Sequence, residues 1–172
     1  MFKLILIFML FITSSYIGFI YGETFRKRYD ELKEILKSLI ILQNEILYGS
    51  TPLPEALDNV KCKVNAPISE LLNKTNKKLI EGEVESVYKA FEEEFLNLKE
   101  KFYLSESDKR ILKDFLKSLG ESGTYGQEKI FNLVIENIKA NLKEAEEVSK
   151  KDIKVYRYLG ICFGAMIAIF LI

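Results

Sequence analysis

From Arg26 to Tyr48 the chain reads RKRYDELKEILKSLIILQNEILY, and this stretch decides the fold class. Leu32, Ile35, Leu36, Leu39, Leu42 and Ile46 recur at three- and four-residue steps, with Lys33, Lys37 and Asn44 between them. That is the period of a helix with one apolar face. Toward the N-terminus only Gly22 interrupts the path into an apolar run from Phe2 to Tyr21, so a hydrophobic segment is predicted to run straight into the amphipathic helix. Toward the C-terminus Gly49, Ser50 and Thr51 end it. Pro52 suits the first turn of a second helix, with Thr51 as its N-cap.

The same period recurs along the chain. Leu53, Ala56, Leu57 and Val60 mark a short second helix. Pro67 opens a third, with Ile68, Leu71, Leu72, Leu79 and Ile80 on its stripe and Gly82 at its end. A fourth is predicted from about Val84 to Leu98, its apolar face holding Val87, Tyr88, Phe91 and Phe95. Its Glu92, Glu93 and Glu94 are expected on a solvated face, because consecutive helical residues point in different directions and cannot converge on one substrate. Ser105-Glu106-Ser107-Asp108 opens a fifth helix in the capping pattern of a hydroxyl followed three residues later by an acid. Gly120 stops it, Glu121 to Gly126 form a loop, and a helix from Gln127 to Tyr158 turns Ile130, Val134, Ile138, Leu142, Ala145 and Val148 inward. No segment alternates with period two, so a sheet is not expected.

The ends bound the class further. Phe2 to Tyr21 is almost wholly apolar, and about 20 helical residues match the ~30 Å hydrocarbon layer. Leu159 to Ile172 is uncharged, although such a run rises only about 21 Å as a helix, so Tyr156, Arg157 and Tyr158 are needed at headgroup level to extend it. A cleaved signal peptide and a helix dipping into one leaflet are the competing readings of the two ends. Arg26, Lys27, Arg28 and Lys33 follow the first segment, and Lys143, Lys150, Lys151, Lys154 and Arg157 precede the second. Only Lys3 lies beyond either, which places the central part in the cytosol. The expected architecture is all-α: an N-terminal transmembrane helix over 1–22, a cytosolic antiparallel six-helix bundle over 23–155 and a C-terminal transmembrane helix over 156–172.

Composition excludes several function classes. With 25 basic and 25 acidic residues the net charge is zero, so no general basic excess is present to bind nucleic acid. The chain has no histidine, which removes the usual general base near neutral pH and the commonest metal ligand. Cys62 and Cys162 read as small hydrophobes rather than a disulfide framework. No glycine-rich phosphate loop is present. An enzyme, a cofactor and a bound metal are therefore not expected. Gly160, Gly164 and Ala168 recur every fourth residue, which aligns small side chains on one helix face and lets another backbone approach. Gly18 and Gly22 form a second such pair, so the expected partner is the chain's own other terminal segment or a separate membrane protein.

Two passages go beyond generic helix. One is LQNEILYGSTPLPEAL from Leu42 to Leu57, containing Glu45, Tyr48, Gly49, Thr51, Pro52, Leu53 and Ala56. The other is Leu119-Gly120, with Gln127 eight residues after Leu119. With two apolar ends and this length, they resemble the stage III sporulation protein AB family across the whole chain. One departure is Gly123, where the family often carries an Asp between the Leu-Gly pair and the Gln.

The resemblance implies a non-enzymatic component of the channel assembled between mother cell and forespore during endospore formation. It implies as partners the other subunits of that channel, including a cytosolic motor ATPase, and it implies location in the mother-cell membrane. The family is also similar in fold to the cytoplasmic helical domains of the type II secretion inner-membrane platform protein. Self-association is one arrangement this layout allows, and a membrane-anchored helical sensor or cell-division scaffold is the alternative function. The glycine corner also has an architectural reading, with Tyr48 covering the helix end and Gly49 in a left-handed conformation. Glu45, an acid on a last helical turn, calls for a cation and is expected to find it within the bundle.

Overall fold

The computed structural model describes residues 2–119 and 124–171. Among these residues every regular element is helical: α1 Phe2–Gln43, α2 Leu53–Lys61, α3 Ile68–Ile80, α4 Val87–Asn97, α5 Glu106–Leu119 and α6 Thr124–Leu171. A π-helical turn, Asn44–Tyr48, follows α1, and a 3₁₀ turn, Lys99–Lys101, follows α4. Residues 2–43 are continuous helix, as the absence of a breaker other than Gly22 implies. The chain divides into two compact units, Asp30–Leu142 and the pair formed by Met1–Tyr29 with Lys143–Ile172.

The unit from Asp30 to Leu142 is a helical bundle around an apolar core. Leu32, Ile35, Leu39 and Leu42 are buried on α1, four of the six residues of the stripe read from the sequence, with Leu36 and Ile46 half-buried. Leu57 and Val60 of α2, Leu71 of α3, Phe91 and Phe95 of α4, and Phe115 of α5 join them. Phe131 of α6 has no exposed surface and meets Phe115 edge-on at 5.0 Å between ring centroids.

Several local expectations are corrected here. Along α6 the predicted Val134, Ile138 and Ala145 are buried, together with Phe131, Ile135 and Ser149, whereas Ile130, Leu142 and Val148 are only half-buried, so the stripe is turned slightly from the predicted one. Ile80 ends α3 exposed, whereas Thr75 and Asn76 are buried. The fourth helix starts at Val87, not near Val84, because the Ser86 hydroxyl accepts from the Lys89 N–H and caps it. The three consecutive glutamates do not share a solvated face. Glu94 is buried and ion-paired to Lys78 at 3.1 Å, Glu93 meets the same ammonium at 2.6 Å, and Glu92 meets Lys113 at 2.6 Å.

The predicted capping pattern closes reciprocally at α5. The Ser105 N–H donates to Asp108 Oδ2 at 2.8 Å and the Asp108 N–H donates to Ser105 Oγ at 3.2 Å. Asp108 has no exposed surface, and its second oxygen accepts from Asn141 Nδ2 at 2.7 Å, tying the start of α5 to α6.

In the other unit the first part of α1 and the last part of α6 run antiparallel, with Phe11 opposite Gly164, Gly18 opposite Gly160 and Gly22 opposite Ile153. Large apolar side chains, among them Met9, Ile17, Phe19, Phe163 and Ile169, stay exposed on this pair. Among the residues whose side chains are described, which begin at Met9, no helix is long and apolar enough to cross a membrane.

Candidate functional site

The passage Leu42 to Leu57 folds into a tight corner. α1 unwinds through its π turn, so the Gly49 N–H donates to the Asn44 carbonyl at 2.9 Å and the Thr51 N–H to the Glu45 carbonyl at 3.0 Å. A Cβ on Gly49 would stand 2.7 Å from the Glu45 carbonyl oxygen and 3.0 Å from Thr51 Oγ1. Glycine is therefore required by close approach, not by a left-handed backbone, since its φ is −82°. The left-handed residue is its neighbour Ser50, with φ of 51°. Thr51 does not cap α2; the residue at that position is Pro52, which has no side-chain donor or acceptor, and α2 begins at Leu53.

Thr51 instead turns to Glu45. Its hydroxyl donates to Glu45 Oε2 at 3.2 Å, Asn59 Nδ2 donates to the same oxygen at 3.1 Å, and Lys63 Nζ stands 3.6 Å from Oε1. One carboxylate thus holds the end of α1, the linker and the far end of α2. The Asn59 hydrogen bond, with those from Thr51 and the charge of Lys63, holds its pKa below the ordinary glutamate value. With its oxygens engaged in this way, Glu45 is a structural anion, not a poised base.

Outside this tie the corner presents a different face. Tyr48 does not cover the helix end; its side chain is 75% exposed, beside exposed Gly49, Ser50 and Pro52. Leu53 is half-buried and Ala56 fully buried, anchoring α2 beneath it. Elsewhere, Gln127 Nε2 donates to the Leu119 carbonyl at 3.3 Å, satisfying a last-turn acceptor of α5. That is a physical reason for the Gln of the second passage, while the Leu119 side chain is buried in the core; Gly120 and Gly123 lie outside the described residues.

The small residues of the terminal helices meet closely. A Cβ on Gly18 would stand 2.7 Å from the Tyr156 carbonyl oxygen and 3.0 Å from Gly160 Cα, and Ser14 Oγ donates to the Gly160 carbonyl at 3.0 Å. At Gly164 the nearest atom is the side chain of Phe11, at 2.9 Å from such a Cβ. Tyr156 stacks on Tyr21 and Phe25 at centroid distances of 6.1 and 5.4 Å. The side chain of Ala168 lies outside the described residues.

A model of the family described as Stage III sporulation protein AB (spore_III_AB) matches residues 3–172. The chain belongs to this family. The Stage III sporulation protein AB of Bacillus subtilis (strain 168) is 25% identical over 171 residues, 99% of either chain. A solved structure of Stage III sporulation protein AB (SpoIIIAB) superposes with a TM-score of 0.66 at 26% identity, covering 72% of this chain and 97% of that one.

Within this sporulation family member, the structure brings Glu45, Gly49 and Thr51 into one cluster and joins Leu119 to Gln127. Sequence reasoning missed Asn59 and Lys63 as partners of Glu45, and Ser14 as a donor between the terminal helices. Asn59 left one signal, an amide directly before the buried Val60 on a short apolar helix. Lys63 and Ser14 left none.

Proposed function

We propose that the protein is a non-enzymatic platform subunit of the channel between mother cell and forespore. In this reading both ends of the chain are transmembrane helices and the residues that join them in sequence form an antiparallel helical bundle in the cytosol. It acts by protein–protein contact, with a cytosolic motor ATPase on one side and membrane partners on the other. The sporulation role rests on membership of the stage III sporulation AB family. The observation that carries the membrane part is the terminal helix pair. Its helices close through Gly18 and Gly160 while Met9, Ile17, Phe19, Phe163 and Ile169 stay exposed, an arrangement costly in water and favourable in hydrocarbon.

The test is made in sporulating cells carrying single cysteines near Arg28 or Lys150, after replacement of Cys62 and Cys162 by serine. Both positions should resist an impermeant thiol reagent in intact cells and react after permeabilisation. Crosslinking and purification from the same cells should recover an ATPase with the chain. Labelling of both sites in intact cells overturns the cytosolic placement, and recovery of the chain from the aqueous fraction without membrane overturns the anchoring. Crosslinked complexes that hold no ATPase overturn the motor contact.

A further inference from the structure

The unit from Asp30 to Leu142 carries two surface features of opposite charge that the proposed platform role does not assign. The first is a groove of about 470 Å³ between α4 and α5. Five of its lining residues are cationic and three acidic, in a chain whose overall charge is zero. Two of the cations are neutralised locally: Lys113 by Glu92 at 2.6 Å and Lys109 by Glu106 at 2.7 Å. Lys117 lies against the Tyr88 ring, with its ammonium 4.8 Å from the centroid. Lys99 and Arg110 pair with no carboxylate among the described residues, and Asp114, the third acid, lies one helical turn from both Arg110 and Lys117 without an ion pair to either. Leu96 projects beside these cations with 65% of its surface exposed. The groove therefore offers unneutralised positive charge around one apolar contact.

The second feature is the α3–α4 connection. Ile80 is 68% exposed, and Glu81, Glu83 and Glu85 follow it, all exposed. Glu81 has only Lys77 at 3.7 Å, Glu85 pairs with Lys89 at 2.8 Å, and Glu83 carries no ion pair among the described residues. This is an acidic loop with an apolar tip, the complement of a basic groove with an apolar floor.

We infer that the Ile80–Glu85 loop of one copy docks into the α4–α5 groove of a second copy, Ile80 against Leu96 and the loop glutamates toward Lys99, Arg110 and Lys117. Loop and groove share no residue, so the contact is heterologous. Each copy keeps a free loop on one side and a free groove on the other, and such a contact propagates to a ring or a filament. The exposed Leu96 beside the cations asks for a partner that carries an apolar side chain together with acids, which a phosphate polymer does not present and the Ile80–Glu85 loop does. A six-residue loop buries less than the ~1,600 Å² of a standard interface, so the pairing is weak and depends on salt. The terminal helices take no part in it, so it stands apart from the membrane reading.

The full-length chain is tested as two differently tagged copies expressed together, with Cys62 and Cys162 replaced by serine. One copy carries Ile80→Cys and the other Leu96→Cys, and a short thiol crosslinker is added. A mixed dimer should form far more strongly than either like pair, and weaken as salt rises. Arg110→Glu with Lys117→Glu on the Leu96→Cys copy should reduce it on the order of fivefold. Adding Glu81→Lys with Glu83→Lys on the Ile80→Cys copy should restore it, which misfolding cannot do. Like pairs as abundant as mixed ones, indifference to charge reversal, or crosslinks from Leu96→Cys only to another protein or to lipid overturn the inference.

Discussion

The Glu45 carboxylate accepts hydrogen bonds from Asn59 and Thr51 and faces Lys63, and its pKa is lowered in consequence. A folded-state pKa below the ordinary value of 4.5 means that the stabilisation is fully present above that pH and is lost as pH falls through the lower, folded value. Glu45→Gln should therefore lower the urea midpoint by a constant amount from about pH 8 to about pH 5.5, with the gap to wild type narrowing in more acid solution. A gap that stays constant into acid would show that the charge of Glu45 is immaterial. Four residues on, Gly49→Ala places a methyl 2.7 Å from the Glu45 carbonyl oxygen, a backbone atom that cannot swing aside. The expected loss is about 1–3 kcal/mol in equilibrium unfolding. Serine-to-glycine replacement at Ser50, by contrast, should be neutral or slightly stabilising, since the left-handed φ there belongs to Ser50. That a Gly–Ser–Thr corner exists was legible from residue types. Which residue bends and which is crowded was not, because that depends on where the Glu45 carbonyl lands after the π turn.

At the scale of elements, the helices are positioned by a few buried polar ties laid over apolar stripes. Asp108 caps its own helix through Ser105 and holds Asn141 of α6, with no exposed surface. Asp108→Ala leaves the Ser105 N–H and the Asn141 amide without that acceptor. It should cost about 2–4 kcal/mol in chemical denaturation, more than loss of an exposed cap. The capping half of this arrangement followed from the Ser-x-x-Asp spacing; the tie to Asn141 joins residues 33 positions apart and left no local trace. In the terminal pair, Gly18→Leu meets the Tyr156 carbonyl and Gly160 Cα, both backbone, whereas a side chain at Gly164 first meets the mobile end of Phe11. Gly18→Leu should therefore weaken pairing by about 1–2 kcal/mol, read as loss of crosslinking between cysteines at Phe25 and Tyr156, while Ile17→Leu on the exposed face leaves it intact. Equal crosslinking in the two variants would remove the close approach as the cause of pairing.

For the molecule as a whole, the division into two compact units separates what folds around its own core from what is built of the two chain ends. Residues 30–142 contain buried Leu32 and Phe91, and the Phe115–Phe131 contact and the Asp108–Asn141 bond both lie within the unit. Expressed alone, this segment should be helical by circular dichroism and unfold in one cooperative transition, and a chain without such a transition would show that the terminal helices complete its core. The sequence by itself determined the helical class, the positions of most apolar stripes, the cap of α5, and the family through its Leu42 to Leu57 passage. Each of these is a matter of residues within one or two turns of each other, where spacing alone sets which side chains share a face. The tertiary structure alone decided that Glu45 meets Asn59 and Lys63, that Tyr48 is left bare, that Glu94 is buried, and that Gly18 rather than Gly164 marks the closest approach of the terminal helices. Those outcomes depend on how far each helix is rotated about its axis against its neighbours, which the packing of distant side chains fixes and no local spacing encodes.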